Sequence, residues 1–362
     1  MNSRSDGSPI HRALQLTGDR GRLLSLLRTL LGPFVGLMVV VLLFHAYHLA
    51  FKPETGFLTA VRLQLITKQT AIVGMGALGM TVIIISGGID LSAGSLLALT
   101  AVVLAVLLRK EPPAWVQQDL SWLVAIWTPL PPILLAAVVL GVGMIAGALN
   151  GVLITWIRLV PFIVTLGTML VFRGTAEWVA NQQKVVVPDV HAPEWISTLL
   201  DPPPPWQLVC TGVWLVLALG LVLSLILRLT VFGRYVFAIG SNESTARLCG
   251  VPVTAVKIAV YALGGLFMAL AGIFDFNDLN KQGSPTSGIA LELEIIAAVV
   301  IGGGSLNGGR GSVLGSIIGA LTMTTLRSGC DYAGISNPTQ KIVIGGIIIT
   351  AVAIDQYLHR RS

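Results

Sequence analysis

The chain has 362 residues, of which 54% are hydrophobic and only 11% are charged, and its mean hydropathy is +0.83. Soluble domains carry roughly 25% charged residues, so this composition excludes an ordinary water-soluble protein and indicates one membrane-embedded domain. The net charge of +6 is scattered between apolar runs, which argues against nucleic-acid binding. Three widely separated cysteines fit neither a metal-ligand pattern nor an even-numbered disulfide framework.

Ten apolar stretches approach the length of about 20 residues that crosses a hydrocarbon core of about 30 Å. They centre on residues 29–50, 69–87, 92–108, 130–154, 161–180, 207–229, 257–276, 288–304, 312–328 and 340–357. The third and the last three are short or rich in glycine. We therefore predict an all-α membrane protein, a polytopic bundle of about ten transmembrane helices over residues 29–357.

The distribution of Lys and Arg predicts the orientation, because positively charged loops stay on the cytoplasmic side. Arginines in the tail at 1–28 and at the C-terminal end place both termini in the cytoplasm. The same threading puts Cys249 inside, Cys330 outside and Cys210 near the outer surface. It also puts the loop at about 230–256 inside and the loop at 181–206 outside. The second loop contains "DPPPPW", which either supports a partner or only spaces two helices.

Several apparent motifs have a simpler explanation in helix packing. "GMGALG" at 74–79 matches a dinucleotide fingerprint letter for letter, but it lies inside a predicted span and not in a βαβ unit. Small residues at this spacing let helices approach closely in lipid, as do Gly143 with Gly147 and the glycines at 311, 315 and 319. No phosphate-binding loop occurs, so any ATP is bound by another subunit. Neither a nucleophile with a plausible base nor a metal-ligand set emerges, so we predict no catalytic and no metal-binding residue.

Charged residues inside the predicted spans are candidates for a transport pathway or a gate. A charge such as Arg173 costs roughly 2.5–3.5 kcal/mol at mid-membrane, so this side chain either snorkels to the interface or lines a path. Glu292 and Glu294 are two residues apart on a helix and point to nearly opposite sides, so at most one faces a shared pathway. The alternative places both glutamates at the outer interface. Asn150 and Thr165 belong to the same set of candidates.

A glycine-rich break, "ISGGIDLSAGS" at 85–95, contains the remaining candidate, Asp90. Asp90 or Ser92 could cap the helix that follows, because lipid cannot satisfy the free amides at a helix start. A similar break at 301–312 falls on the same predicted side of the membrane. The pair hints at an internal repeat of the sort found in transporters.

The most polar interval in the second half of the chain is "IGSNESTARLCGVPVTAVK" at 239–257. Here "NESTARLC" predicts about two helical turns on the cytoplasmic side, with Glu243 in the first turn, where a negative charge suits the helix dipole. Gly250 and Pro252 stop the helix. We expect Leu248 and Cys249 to face the bundle. A short polar helix fixed between two spans has the form of a docking element for a partner.

Four blocks together resemble the ribose-type monosaccharide permeases of bacterial ABC importers. They are "GMTVIIISGGIDLSAGSLLALT", "PFIVTLGTMLVFRG", "AIGSNESTARLCGVPVTAVKIAVYALGGLFMALAGI" and "ELEIIAAVVIGGGSLNGGRGSVLGSIIGAL", in that order. The resemblance runs from about residue 65 to the C-terminus. It departs from the family in the long N-terminal tail, the proline-rich outer loop and Glu294, where the family often has Asp.

This resemblance implies a permease in the bacterial inner membrane that imports a small sugar, a pentose or a hexose, by alternating access. It implies a second permease subunit, a cytoplasmic ATPase that alone holds ATP and Mg²⁺, and an extracytoplasmic sugar-binding protein. Contact with the ATPase is expected at Ser241, Asn242, Glu243, Ala246, Arg247, Leu248 and Gly250. A branched-chain amino acid remains an alternative substrate, because a neighbouring permease family shares the broad architecture. An ion-coupled secondary transporter is a further alternative, and a membrane enzyme has the least support.

Overall fold

The structure is a computed structural model that describes residues 32–51, 56–109, 130–202, 207 and 209–359. The predicted tail at 1–28 and residues 203–206 of the proline-rich loop lie outside these ranges. Almost all regular structure in the described residues is helical. The helices are α1 Gly32–Phe51, α2 Ala60–Ile85, α3 Ala93–Arg109, α4 Pro132–Trp156, α5 Pro161–Val179, α6 Glu194–Ser197, α7 Thr211–Leu229, α8 Val231–Ser241, α9 Glu243–Leu248, α10 Val253–Asp278, α11 Leu291–Ile301, α12 Val313–Ala333 and α13 Asn337–His359.

Each of the ten predicted spans corresponds to one helix, but the helices differ in length. Within the described ranges, α1, α2, α4, α5, α7 and α10 are long and apolar enough to cross a membrane. By contrast, α11 has 11 residues, and a helix of that length rises about 17 Å, roughly half of a hydrocarbon core. The all-helical membrane bundle is confirmed, and the count of ten spans stays a prediction.

Close backbone contacts at glycines hold the centre of the bundle together, as the small-residue spacing predicts. The central helix α10 packs on α2, α3 and α4. Gly143 and Gly147 of α4 lie directly on the backbone of Gly265 in α10, and Gly79 of α2 lies on Gly264. Lipid tails are as apolar as the side chains, so the hydrophobic effect does not drive these helices together. The close van der Waals contact at the glycines stabilises their association instead.

One end of the bundle, here called the glycine end, is where three connections meet. The backbone N–H of Gly309 donates to the carbonyl of Ile85 over 2.8 Å. Gly240 lies against that same carbonyl, and Gly308 lies beside Gly87. The connections after α2, after α8 and after α11 therefore share one end, as the sequence threading requires.

The opposite end, here called the hairpin end, is closed by a two-stranded ribbon. Strand β1, Val185–Val186, pairs antiparallel with strand β2, Gln282–Gly283. The ion pair between Lys281 and Asp189, with 2.7 Å between the charged atoms, braces the connection before β2. Because β2 follows α10, residues after position 283 start from this end.

The glycines of α4 give a test with an internal control. A Cβ at position 147 would collide with the carbonyl of Tyr261, so Gly147→Ala should cost about 1–3 kcal/mol through overpacking. Gly141 in the same helix has open space around it, so Gly141→Ala should leave stability unchanged or raise it slightly. Thermal unfolding of the detergent-purified variants measures both, and equal midpoints would contradict this packing.

Candidate functional site

The connection at 86–92, between α2 and α3, gathers three of the residues singled out in the sequence. Asp90 Oδ1 accepts hydrogen bonds from the backbone N–H and the hydroxyl of Ser92, at 2.8 and 2.5 Å. Asn150 of α4 donates to the Ser92 hydroxyl over 2.9 Å, and Thr165 of α5 donates to the carbonyl of Ile89 over 3.3 Å. Asp90 thus stabilises the turn that leads into α3, close to its predicted capping role.

Three polar atoms around this connection are buried without a hydrogen-bond partner among the described residues. They belong to Asp90 (Oδ2), Asn150 (Oδ1) and Tyr261 (the hydroxyl). The Tyr261 hydroxyl lies directly against Gly88, where a Cβ would collide with it. Sequence reasoning missed Tyr261, although a lone tyrosine in the apolar run of α10 is a usable signal.

A second connection, at 284–290, is held from the opposite direction. The guanidinium of Arg173 donates to the carbonyls of Pro285 and Ser287, both at 2.5 Å, and the Ser287 hydroxyl donates to Asp275 over 2.5 Å. Asp275 and Glu292 are among the carboxylates whose charges act on Arg173. The side chain of Arg173 is partly buried, and its guanidinium binds this loop.

The two connections meet inside the bundle. Gly94, in the first turn of α3, lies against the carbonyl of Gly288 and the carboxylate of Glu292. The depth of this contact along the bundle axis follows from other contacts of α3. Gly272 of α10 lies on Leu97 and Thr100 of α3, so α3 begins near the middle of α10. Likewise α11 begins near the middle of α2, because Ile295 in its second turn packs on Gly76.

The two connections also have similar sequences. Residues 86–92 read "SGGIDLS" and residues 286–292 read "TSGIALE", with Gly-Ile-x-Leu at corresponding positions. Each stretch comes from a different end of the bundle and leads into the start of a helix at mid-depth. Discontinuous helices related in this way are typical of inverted repeats in transporters. The break at 301–312 lies beside Gly87 of the first break, so these two breaks share the glycine end, as the sequence predicts, and the stretch that resembles 86–92 at mid-depth is the one at 286–292.

Glu292 and Glu294 face different neighbours, as their spacing predicts. Glu292 lies beside Gly94, whereas Glu294 forms an ion pair with Arg327 of α12, with 3.3 Å between the charged atoms. Both glutamates occupy the first turn of α11, where a negative charge compensates the helix dipole.

The short helix α9 has the local structure that its sequence predicts. The side chain of Asn242 caps it by accepting a hydrogen bond from the Thr245 N–H over 2.9 Å. At its other end Gly250 has φ +81°, and the Val251 N–H donates back to the Ala246 carbonyl over 3.1 Å. A glycine with positive φ after the last turn, together with this hydrogen bond back to the helix, is a common way for a helix to end.

The orientation of α9 differs from the prediction in two respects: Leu248 and Cys249, expected to face the bundle, are exposed, and Ala246, expected to contact the ATPase, is buried. Leu248 is 88% exposed and Cys249 is exposed, whereas Ala246 is 4% exposed and faces the bundle. A rotation of about 100° per residue puts Leu248 on the far side of the helix from Ala246, so one short helix cannot bury both. Leu248 is therefore an exposed apolar side chain on a polar helix.

The charges of α9 are paired within the protein. Glu243 forms ion pairs with Arg247 at 3.0 Å and with Lys257 of α10 at 2.5 Å. Burial alone would raise the pKa of Glu243, but the hydrogen bonds and charges of Lys257 and Arg247 outweigh it and lower the pKa. The stabilising contribution of Glu243 is therefore present above its unfolded-state pKa and is lost as the pH falls through its folded-state pKa.

Helices that start at mid-depth, together with charges set into an apolar bundle, are typical of membrane transport proteins. The chain belongs to the family described as the permease component of the branched-chain amino acid transport system, whose model matches residues 63–352. The family and the apolar helices make it a multi-pass protein of the inner membrane and a transport component.

Curated relatives cover nearly all of the chain. The ribose import permease of Bacillus subtilis is 36% identical over 336 residues, 90% of this chain and 92% of the relative. The fructose import permease of Rhizobium meliloti is 34% identical over 90% of this chain and 86% of the relative. The xylose transport system permease of Escherichia coli is 32% identical over 99% of this chain and 100% of the relative. No solved structure matches the chain.

The unpartnered hydroxyl of Tyr261 leads to a prediction with a matched control. Tyr261→Phe removes a buried group that lacks a hydrogen bond, so the variant should be as stable as the parent or more stable by about 1 kcal/mol. Tyr332→Phe removes a hydroxyl that lies 3.1 Å from Nδ1 of His48, so it should lose about 1 kcal/mol. Unfolding midpoints compare the two, and a clear loss in Tyr261→Phe would show that its hydroxyl is bonded.

Proposed function

We propose that the chain is the permease subunit of an ATP-binding-cassette importer that moves a monosaccharide, a pentose or a hexose, across the inner membrane. The observation that carries this proposal is the similarity to permeases named for ribose, fructose and xylose over 90% or more of the chain. The family description names branched-chain amino acids, and these are the alternative substrate class. The protein itself needs no catalytic group, because ATP and Mg²⁺ belong to the partner ATPase.

In this proposal the glycine end is cytoplasmic, both termini lie inside, and α9 is the element that the ATPase pushes. Leu248 is the apolar side chain available to a pocket on the ATPase. Movement of α9 reaches α10 through the ion pair of Glu243 with Lys257. It reaches the connection after α2 through Gly240, which contacts the carbonyl of Ile85 at the end of α2.

The complete importer contains a second permease subunit, identical or different, and an extracytoplasmic sugar-binding protein that delivers the sugar to the hairpin end. Loaded binding protein shifts the permease toward an outward-open state only by its differential affinity for the two states. Asp90 and Arg173 hold the two connections through hydrogen bonds, which is a structural role that needs no ion coupling. Uptake in vesicles that depends on ATP and not on an ion gradient would distinguish the importer from an ion-coupled transporter.

The orientation of the chain is tested with an impermeant maleimide applied to intact cells. Cys249 is exposed at the glycine end and should react only after the cells are opened. Cys210 and Cys330 are buried, so the maleimide would label them poorly from either side of the membrane. Val190→Cys places a thiol at a position 92% exposed near the hairpin end, and it should react from outside. Reaction of Cys249 in intact cells would contradict the ten-span orientation.

The coupling role of α9 is tested with Leu248→Asp. A charge here should cost at least about 2 kcal/mol at the ATPase interface, about thirtyfold in Kd, while membrane insertion stays normal because Leu248 is exposed. Co-purification of the ATPase and sugar-stimulated ATP hydrolysis are the measurements. The same chemical change at the opposite end, Val190→Asp, is the control and should leave assembly with the ATPase intact. Full assembly and stimulation in Leu248→Asp would exclude α9 as the coupling helix.

A further inference from the structure

A cavity of about 530 Å³ lies at the glycine end, between the turn that joins α4 to α5 and the neighbouring helices α9 and α10. Both α4 and α5 are long and apolar enough to cross a membrane, and only the four residues 157–160 separate them. A connection this short stays at the membrane surface. The cavity that it lines therefore lies where the protein meets the edge of the bilayer.

Basic side chains dominate the lining of this cavity. Among the described residues that form it, Arg158, Arg247 and Lys257 are basic and Glu243 is acidic, which leaves an excess of two positive charges. Glu243 already bridges Arg247 and Lys257, at 3.0 and 2.5 Å. Arg158 has no ion pair with any described residue, so its guanidinium is available to an anion from outside the chain.

Two long helices start at the same cavity and add to its positive potential. The residues before them, Val160 ahead of α5 and Pro252 ahead of α10, provide no side-chain cap, and neither helix has an acidic residue in its first turn. Each helix start carries a partial positive charge of roughly +0.5. These starts strengthen the field of the three basic side chains, and guanidinium groups bind phosphate oxygens particularly well.

The rim of the cavity is apolar and continues along the side of α5. Trp156, Leu159 and Val160 line the cavity and are 83%, 44% and 59% exposed, and Phe162 and Ile163 in the first turn of α5 are also exposed. Exposed apolar side chains on a span contact lipid, and tryptophan is enriched at the membrane–water interface. A ligand that covers both surfaces needs an anionic head and apolar chains.

We propose that this cavity binds the headgroup of an anionic phospholipid, with the phosphodiester beside Arg158 and the acyl chains along the rim and α5. Basic pockets between membrane helices bind such headgroups in other proteins. An acidic side chain of the ATPase, or a soluble phosphate, would match the charges but not the apolar rim. The inference goes beyond the proposed function, because it requires only that α4 and α5 cross the membrane.

The first experiment compares Arg158→Gln with Arg234→Gln. Both variants remove one positive charge from an exposed arginine at the glycine end, but Arg234, in α8, does not line the cavity. Native mass spectrometry of the detergent-purified chain gives the Kd for phosphatidylglycerol, for phosphatidylcholine with the same acyl chains, and for glycerophosphoglycerol, the headgroup without chains. We expect phosphatidylglycerol to bind most tightly. Arg158→Gln should raise its Kd about tenfold or more, because a hydrogen-bonded charge pair is lost, and Arg234→Gln should not.

Thr254→Glu tests the same site from another helix. Thr254 lines the cavity in the first turn of α10, where a new carboxylate repels a phosphate but stabilises the helix start. This variant should therefore bind phosphatidylglycerol more weakly while its unfolding midpoint stays the same or rises. Unchanged binding in Thr254→Glu would place the headgroup outside this cavity and overturn the proposal.

The proposal is supported if phosphatidylglycerol is preferred and if Arg158→Gln and Thr254→Glu weaken its binding while Arg234→Gln does not. It is overturned if both arginine variants have the same effect, which would indicate unspecific attraction to a charged surface. It is also overturned if the headgroup without chains binds as tightly as the lipid, because the site would then hold a soluble anion.

The same titrations on the purified complex with the ATPase decide between the lipid and the ATPase as occupants. If Arg158→Gln still weakens phosphatidylglycerol binding there, the lipid occupies the cavity in the assembled protein. If the effect of Arg158→Gln is confined to the isolated chain, the ATPase fills the cavity and the proposal is overturned. None of these measurements depends on sugar uptake, so their failure would leave the proposed function untouched.

Discussion

The contact between Gly94 and Gly288 is the constraint on which the interior of this protein depends. At this contact the first turn of α3, which follows the connection at 86–92, meets the connection at 284–290 backbone to backbone, and a Cβ on either glycine would collide with the carbonyl of the other. Non-helical backbone within a membrane is tolerated only where the protein itself satisfies its polar groups. The side chains nearby do this: Thr165 and Arg173, both on α5, bind carbonyls of the first and the second connection. One helix therefore holds both breaks in position.

This arrangement connects the two ends of the bundle physically. At the glycine end, α9 is joined to α10 through Glu243 and Lys257, and α10 carries Tyr261 against the first connection. At the other end, Asp275 of α10 binds Ser287 in the second connection. A shift of α10 along its axis would act on both connections together, because each contacts a side chain of the same helix.

The sequence predicted those features that depend on local patterns. Apolar length predicted the positions of the helices, the spacing of Gly143 and Gly147 predicted a close helix contact, and Gly250 with Pro252 predicted where α9 ends. Features that depend on contacts between distant segments were missed. The connection at 284–290 contains no charged residue, so nothing local showed that it turns back to mid-depth under Arg173. The outward direction of Leu248 was missed because the rotation of a six-residue helix is set by what it packs against, here through Ala246.

The electrostatics of the interior explain why so many candidate residues are acidic. The N-terminus of a helix carries a partial charge of roughly +0.5, and here α3 and α11 both begin at mid-depth, beside the full positive charge of Arg173. Positive charge at this level needs negative partners, because the low dielectric strengthens every unbalanced charge. Asp90 lies just before α3, and Glu292 lies in the first turn of α11. Both carboxylates therefore lie where a negative charge is favourable, beside the helix starts and within reach of the charge of Arg173.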